Sequence, residues 1–150
     1  MTPTVVFDCM ILLQAAANPV GEAGRCYNAV ESGSVQLTMS QATRYEAHDV
    51  LTREAIRLKL PRLTAERVEE FLDSLDYFSR QEHGVPQLAQ LPRDPKDEKY
   101  LNLAIAANAQ YLVTRDNDLL DLMKDGGFRS SYPNLEILGP AEFLERMTLM

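Results

Sequence analysis

The stretch from Asp97 to Asp116, DEKYLNLAIAANAQYLVTRD, runs from helical spacing directly into a strand-like segment. Alanine and leucine dominate its first part, and apolar residues recur at Leu101, Ala104 and Ile105. This spacing predicts a helix over residues 97–108 with one face on a core. The apolar and β-branched run 111–114 that follows predicts a strand. A helix that leads into such a strand is typical of an α/β fold with a parallel sheet.

Three further runs rich in β-branched or apolar residues predict strands at 4–7, 35–39 and 135–138. Helical spacing predicts one helix that begins after Ser40 and runs through Val50, a second over 65–80 with Thr64 as its N-cap, and a third over 141–147. Residues 125–127, Asp-Gly-Gly, predict a loop. Neither a repeat nor a long flexible linker interrupts the sequence, so we expect one domain, residues 1–150.

The composition is that of an ordinary globular domain of 150 residues, 45% of them hydrophobic. The formal net charge of −7 argues against a protein that coats nucleic acid, because non-specific affinity comes largely from neutralised phosphates. It does not exclude a nuclease, whose carboxylates gather around metal ions. Cys9 and Cys26 are predicted to be buried free thiols, and neither a signal peptide nor a membrane span is apparent, so we expect a cytoplasmic location with no membrane partner.

Four acidic residues are placed where a ligand would bind. In open α/β sheets, ligands bind beyond the carboxyl ends of the strands. Asp8 and Asp116 each come just after a predicted strand, Glu46 lies in the helix that follows run 35–39, and Asp97 opens the helix before run 111–114. Each also has an ordinary structural interpretation. Asp often caps helices and makes turns, and Glu is common on solvated helix faces. The negative charge of Asp97 would interact favourably with the dipole at the N-terminus of its helix.

A cluster of these four carboxylates would be costly unless hard divalent cations occupied it. Oxygen ligands suit Mg²⁺ or Mn²⁺, and the sequence lacks a Cys/His set with zinc spacing, since His48 and His83 stand alone. Cations held in this way polarise phosphoryl groups and activate water. Phosphodiester hydrolysis is therefore the predicted reaction.

The order of motifs resembles the PIN-domain ribonucleases, and in particular the toxin components of prokaryotic toxin–antitoxin pairs. The segments that carry the resemblance are Val5-Val6-Phe7-Asp8, Ser40-x5-Glu46 and the long segment from Asp94 through Asp97, Thr114, Asp116 and Asp118 to Leu120. The resemblance implies a three-layer α/β/α fold with a central parallel sheet. It also implies one or two Mg²⁺ or Mn²⁺ ions held by Asp8, Glu46, Asp97 and Asp116, with Thr114 supporting the site and Asp118 as an auxiliary ligand. RNA as substrate, a cognate antitoxin and a homodimer are further implications.

The residue two positions after Asp8 departs from the family's pattern. The family commonly has Asn there, whereas this chain has Met10, whose thioether cannot replace the hydrogen bonds of an amide. A PIN-like module that binds RNA or protein without catalysis is therefore an alternative function. A haloacid-dehalogenase-type phosphohydrolase with Asp8 as nucleophile is another, although that chemistry needs a second Asp where Met10 stands.

Basic residues between positions 53 and 67 are candidates for contact with RNA. Arg53 and Arg57 are four residues apart and would share a helix face toward phosphates, and Arg115 lies beside Asp116. A solvated amphipathic face is the alternative for the first two. The apolar stripe within the helix predicted over 65–80 is interpreted as core, with a partner-binding surface as the alternative; its members are Val68, Phe71, Leu72, Leu75 and Phe78.

Overall fold

The computed structural model describes residues 2–149, and a parallel β-sheet forms its centre. The strands described are β1 (Thr4–Phe7), β2 (Gln36–Met39), β3 (Arg80–Gln81), β4 (Tyr111–Val113) and β5 (Glu136–Leu138). They lie in the order β3-β2-β1-β4-β5, and every neighbouring pair is parallel. Residues that follow β1 and β4 therefore emerge side by side at the carboxyl edge of the sheet.

Nine α-helices occur within residues 2–149. They are α1 (Cys9–Ala17), α2 (Glu22–Glu31), α3 (Gln41–Leu51), α4 (Glu54–Lys59), α5 (Ala65–Phe78), α6 (Glu98–Ala106), α7 (Asn117–Leu120), α8 (Gly126–Ser131) and α9 (Pro140–Thr148). Short 3₁₀ turns at Pro95–Asp97 and Asp121–Lys124 precede α6 and α8. Side-chain caps start several helices: Ser40 and Thr43 form a capping box at α3, and Thr64 caps α5 as predicted.

Helices cover both faces of the sheet, and apolar side chains fill the space between them and the strands. This confirms the predicted three-layer α/β/α fold. Val5 and Phe7 of β1 belong to one core cluster together with residues of α1, α2, α5 and α9. Val6, between them in sequence, packs in a second cluster with residues of α6. Adjacent strand residues point to opposite faces, so a strand covered on both sides is apolar throughout.

The amphipathic stripe of α5 is confirmed as core. Val68, Phe71, Leu72 and Leu75 are buried in the first cluster, and Phe78 packs against it from a half-buried position. Burial of this stripe fixes α5 against the sheet and leaves its opposite face to solvent. Cys9 and Cys26 are also buried and free, as predicted.

Two local predictions are wrong. Residues 125–127 do not form a loop: Asp125 accepts hydrogen bonds from the N–H groups of Gly127 and Phe128, so it caps α8 and brings both glycines into the first turn. The helix predicted over 65–80 ends at Phe78, because Arg80 pairs with Thr38 in the short strand β3. Cap geometry and strand pairing therefore override local propensity at these positions.

No helix within the described part of the chain is both long enough and apolar enough to cross a membrane.

Candidate active site

Asp8 and Thr114 follow the neighbouring strands β1 and β4, and their side chains make direct contact. The hydroxyl of Thr114 donates a hydrogen bond to Asp8 Oδ2, and Asp8 Oδ1 accepts from the N–H of Ile11 at 3.0 Å. Both Asp8 and Thr114 are buried. Burial raises the pKa of Asp8, although these hydrogen bonds oppose the shift. Asp8 is therefore a helix cap and a fixed carboxylate at the sheet edge at the same time.

Asp116 is held by the same hydroxyl. Its backbone N–H donates to Thr114 Oγ1 at 3.0 Å, and its carboxylate caps α7 by accepting from the N–H of Asp118 at 2.9 Å. One buried side chain thus positions the two residues that follow β1 and β4. The family resemblance implied a supporting role for Thr114.

Three carboxylates converge in front of this edge. Asp94, Asp97 and Asp116 each place an oxygen within 4.8 Å of the others. Asp94 directly precedes the 3₁₀ turn Pro95–Asp97, and Asp97 ends it, so the turn presents both toward the strand-end Asp116. The three are half-buried.

Burial and the neighbouring carboxyl groups shift the pKa values of the three in different directions. Burial raises the pKa of Asp97 to about 8, and its hydrogen bond to Asp116 and the charges of Asp94 and Asp8 add to the increase. The pKa of Asp94 is raised by its hydrogen bond to Asp116. The pKa of Asp116 is lowered, because it accepts these hydrogen bonds. The negative charges of these carboxylates are therefore close together, and their repulsion favours protonation of Asp97 and Asp94.

This donor set fits a divalent cation. The ligand atoms are carboxylate oxygens, which Mg²⁺ and Mn²⁺ prefer. Among residues 2–149, the salt bridges do not involve Asp8, Asp94, Asp97 or Asp116. A bound cation would supply the positive charge that these groups lack, and it would release the proton of Asp97.

Glu46 lies at the same edge, on α3, the helix that follows β2 in the chain. Its carboxylate has different partners from those of the aspartates. The hydroxyl of Tyr100 donates to Glu46 Oε1, and Lys99 Nζ lies 2.9 Å from Oε2. Tyr100 is almost completely buried, and burial together with its hydrogen bond to Glu46 raises the pKa of its phenol. Glu46 is thus neutralised by a lysine, whereas the aspartates are not.

Asp118 also has a cationic partner. Its carboxylate lies 2.7 Å from a guanidinium nitrogen of Arg93, which reaches Asp121 at 3.3 Å as well. Its backbone N–H faces Asp116. Asp118 therefore borders the aspartate group without belonging to the set of three mutually close carboxylates.

The three candidate arginines occupy separate surroundings. Arg53 occupies the N-cap position just before α4, and its side chain makes no capping hydrogen bond, so the prediction that it shares a helix face with Arg57 is wrong. Arg53 forms an ion pair with Asp49 at 2.5 Å and lines a cavity of about 910 Å³ together with Glu46 and Lys99. Arg57 lines a different cavity, between α3 and α5.

Arg115 follows β4 but points away from the aspartates. Its Nε donates to Gln14 at 3.0 Å, and a second guanidinium nitrogen lies 3.3 Å from Glu22. The side chain is about half exposed. It therefore ties the strand end to α1 and α2 and keeps part of its surface open to solvent.

Met10 lies in the first turn of α1 with 52% of its surface exposed. Its backbone N–H lies close enough to Asp8 to lower the pKa of that carboxyl. The Met10 side chain is exposed and is not part of the core.

Sequence reasoning missed three residues of the site. Asp94 carries a signal, because Asp94-Pro-Lys-Asp97 places two acids three residues apart around a proline turn. Lys99 and Tyr100 carry none, because their contacts with Glu46 depend on how α3 packs beside α6.

Comparison with known protein families agrees with this geometry. The family model described as PIN domain matches residues 4–118. The match begins with β1 and includes Asp8, Glu46, Asp97 and Asp116, with Asp118 as its last position. No curated protein matches the chain at a significant level.

Proposed function

The chain belongs to the PIN domain family, and on that premise we propose that it is a metal-dependent endoribonuclease that hydrolyses RNA phosphodiester bonds. The observation that carries the proposal is the close approach of Asp94, Asp97 and Asp116 beyond the ends of the parallel strands. Repulsion between such carboxylates is tolerated in proteins mainly where a cation offsets it. Nuclease chemistry is the ordinary use of that arrangement in this family.

Asp94, Asp97 and Asp116 are the favoured ligands for Mg²⁺ or Mn²⁺, with Asp8 as their charged neighbour. Within residues 2–149, none of these four aspartates forms a salt bridge. A bound ion would stabilise the negative charge that develops on the phosphodiester group during hydrolysis. Glu46 and Asp118 lie at the margin of this set, each beside a basic residue.

The remaining side chains hold the ligands in place. Thr114 orients Asp8 through its hydroxyl and receives the N–H of Asp116. Because burial and neighbouring charges keep Asp97 protonated near neutral pH, that proton must leave before a cation binds. Cation affinity, and activity with it, should therefore increase as pH rises toward 8.

Arg53 is the favoured RNA contact among the candidate arginines. The cavity that it lines also contains Lys96, Lys99 and Tyr45, and the ring of Tyr45 is 75% exposed one residue before Glu46. Cations bind phosphates, and an exposed ring can stack with an unpaired base. Arg115, whose side chain is about half exposed after the end of β4, is a second candidate contact, and Arg57 is less favoured because it faces another cavity.

We further propose that the protein acts as the toxin of a toxin–antitoxin pair in the cytoplasm, as a homodimer held inactive by a cognate antitoxin protein. The motif order supports this role, and the buried free thiols are compatible with a reducing compartment. Induced expression should arrest growth of a bacterial host, and co-expression of a small neighbouring gene should relieve the arrest. Growth that is unaffected by wild-type protein and by Asp116→Asn alike would contradict the toxin role alone.

Met10 supports one alternative, a module that binds RNA or protein without cutting. The missing amide would have lain beside Asp8 at an exposed position. The retained aspartate group opposes this alternative, since it is an electrostatic cost without a cation. The family match, for its part, favours a nuclease over the phosphohydrolase with an Asp8 nucleophile.

Cleavage of a mixed single-stranded RNA pool in Mn²⁺ tests the proposal. Wild type should cut internally, and Asp116→Asn should lose at least about a hundredfold in rate, because a carboxylate of the cation site is gone. Asp73→Asn, the same change at an exposed position on α5, should cut at the wild-type rate. Equal rates for wild type and Asp116→Asn on several RNAs would contradict the proposed nuclease function, although the assignment of the fold would still hold.

A further inference from the structure

Lys99 holds its ammonium between two oxygen atoms at the margin of the site. Its Nζ lies 2.9 Å from Glu46 Oε2 and donates to the backbone carbonyl of Lys96 at 2.6 Å. The side chain is 25% exposed, and its ammonium also lies 5.3 Å from the centre of the Tyr100 ring. The Lys99 ammonium therefore contacts the Glu46 carboxylate, a backbone carbonyl oxygen and an aromatic ring at the same time.

The second oxygen of Glu46 is occupied as well. Oε1 accepts from the hydroxyl of Tyr100, whose ring is 1% exposed within the second core cluster. A buried phenol cannot turn away from this carboxylate without disturbing the core around it. The position of Glu46 is therefore fixed from one side by the core and from the other by a charge.

The aspartates beyond β1 and β4 present the opposite situation. Within residues 2–149, Asp94, Asp97 and Asp116 have one another as near neighbours and make no salt bridge. Glu46 does not belong to the group whose oxygens approach within 4.8 Å. Among the described residues, the aspartate group therefore has no cationic side chain as a partner, whereas Glu46 has the ammonium of Lys99.

We infer that this protein binds a single divalent ion, at Asp94, Asp97 and Asp116, and that the Lys99 ammonium, held against Glu46, stands where a second cation would bind. The inference rests on the proposed metal-dependent function and defines its cation requirement. Lys99 is a positioning residue: it neutralises Glu46 and keeps that carboxylate apart from the divalent ion. An ammonium supplies a fixed single charge that does not depend on the concentration of free metal.

The number of bound Mn²⁺ ions per chain tests the inference, measured on the full-length protein from the electron paramagnetic resonance signal of free Mn²⁺. Wild type should bind one ion. Lys99→Met and Lys99→Gln should each bind two, because Glu46 is released, and the double variant Lys99→Met/Glu46→Gln should return to one. Lys96→Met, which removes the same charge one turn away and leaves the partners of Glu46 intact, should bind one.

Affinities provide a second readout. Glu46→Gln should weaken the single site less than about threefold, whereas Asp97→Asn should weaken it by roughly tenfold or more, because an oxygen ligand is lost. Two ions in wild type, one ion in both Lys99 variants, or equal losses in Glu46→Gln and Asp97→Asn would each overturn the inference and leave the nuclease proposal standing. Wild type that binds no Mn²⁺ would overturn the nuclease proposal and this inference together.

Discussion

Thr114 donates a hydrogen bond to Asp8 across 106 residues of sequence, and this contact joins the ends of β1 and β4. The same hydroxyl accepts the N–H of Asp116 at 3.0 Å. The first interaction is buried and the second is partly buried, so a single side-chain oxygen contacts both Asp8 and Asp116 at the ends of these two strands.

Replacement of that oxygen should damage both stability and the site. Thr114→Val keeps the shape but leaves the N–H of Asp116 and one oxygen of Asp8 without their partner, which should cost about 1–3 kcal/mol in urea unfolding. The affinity for Mn²⁺ should fall by roughly tenfold or more, because Asp8 is no longer oriented. Thr114→Ser retains the hydroxyl and should keep the wild-type affinity. Equal affinities in the Val and Ser variants would refute the orienting role.

The stability of the metal-free protein should decrease as the pH rises from about 5 to 8. Asp97 has a pKa of about 8 in the folded chain against 3.8 for the free side chain, so the folded state binds more protons in this interval. Stability falls with pH wherever the folded state holds the extra proton. Asp97→Asn should flatten the dependence of Tm on pH, and saturating Mn²⁺ should raise Tm more at pH 8 than at pH 5. An unchanged slope in Asp97→Asn would contradict the assignment.

Arg53 and Arg57 should differ in their effect on RNA affinity. Arg53 lines the cavity beside Glu46, whereas Arg57 lines the one between α3 and α5. Arg53→Ala should weaken binding of a single-stranded RNA and reduce the dependence of log K on log salt by about one phosphate contact. Arg57→Ala serves as the matched control. A larger loss in Arg57→Ala would place the RNA on the other side of α3.

Met10→Asn should increase the rate of RNA cleavage in Mn²⁺. The residue is 52% exposed in the first turn of α1, so the exchange should change the free energy of unfolding by no more than about 0.5 kcal/mol. An amide there can orient Asp8 or a water beside it. A rate that remains at the wild-type value would mean that the missing amide does not limit the rate of RNA cleavage.

Strand periodicity and chain order predicted the sheet and the edge that holds the acids. β1 is found as predicted, β2, β4 and β5 agree within one residue at each end, and Asp8 and Asp116 emerge at the same edge. Apolar runs covered on both faces give a strong local signal. β3 was missed because two residues paired to β2 leave no periodic pattern.

The partners of Glu46 could not be predicted in the same way. Its place on α3 follows from the sequence, but its neutralisation by Lys99 depends on the packing of α3 beside α6. The loop predicted at 125–127 was wrong for a local reason, since the Asp125 side chain accepts two cap hydrogen bonds and thereby begins a helix at the two glycines. Contacts between side chains distant in sequence therefore define the electrostatics of the site, and periodicity does not report them.

The increase in Tm caused by Mn²⁺ tests most directly whether the aspartates at the strand ends form a cation site. At a concentration about a hundredfold above Kd, wild type should gain about 2.7 kcal/mol, or roughly 5–11 °C. Asp8→Asn/Asp97→Asn should show almost no increase. Glu69→Gln/Asp73→Asn, an equal loss of charge on the exposed face of α5, should respond like wild type. An equal increase in Asp8→Asn/Asp97→Asn and wild type would show that the ion binds elsewhere and would contradict the assignment of the site.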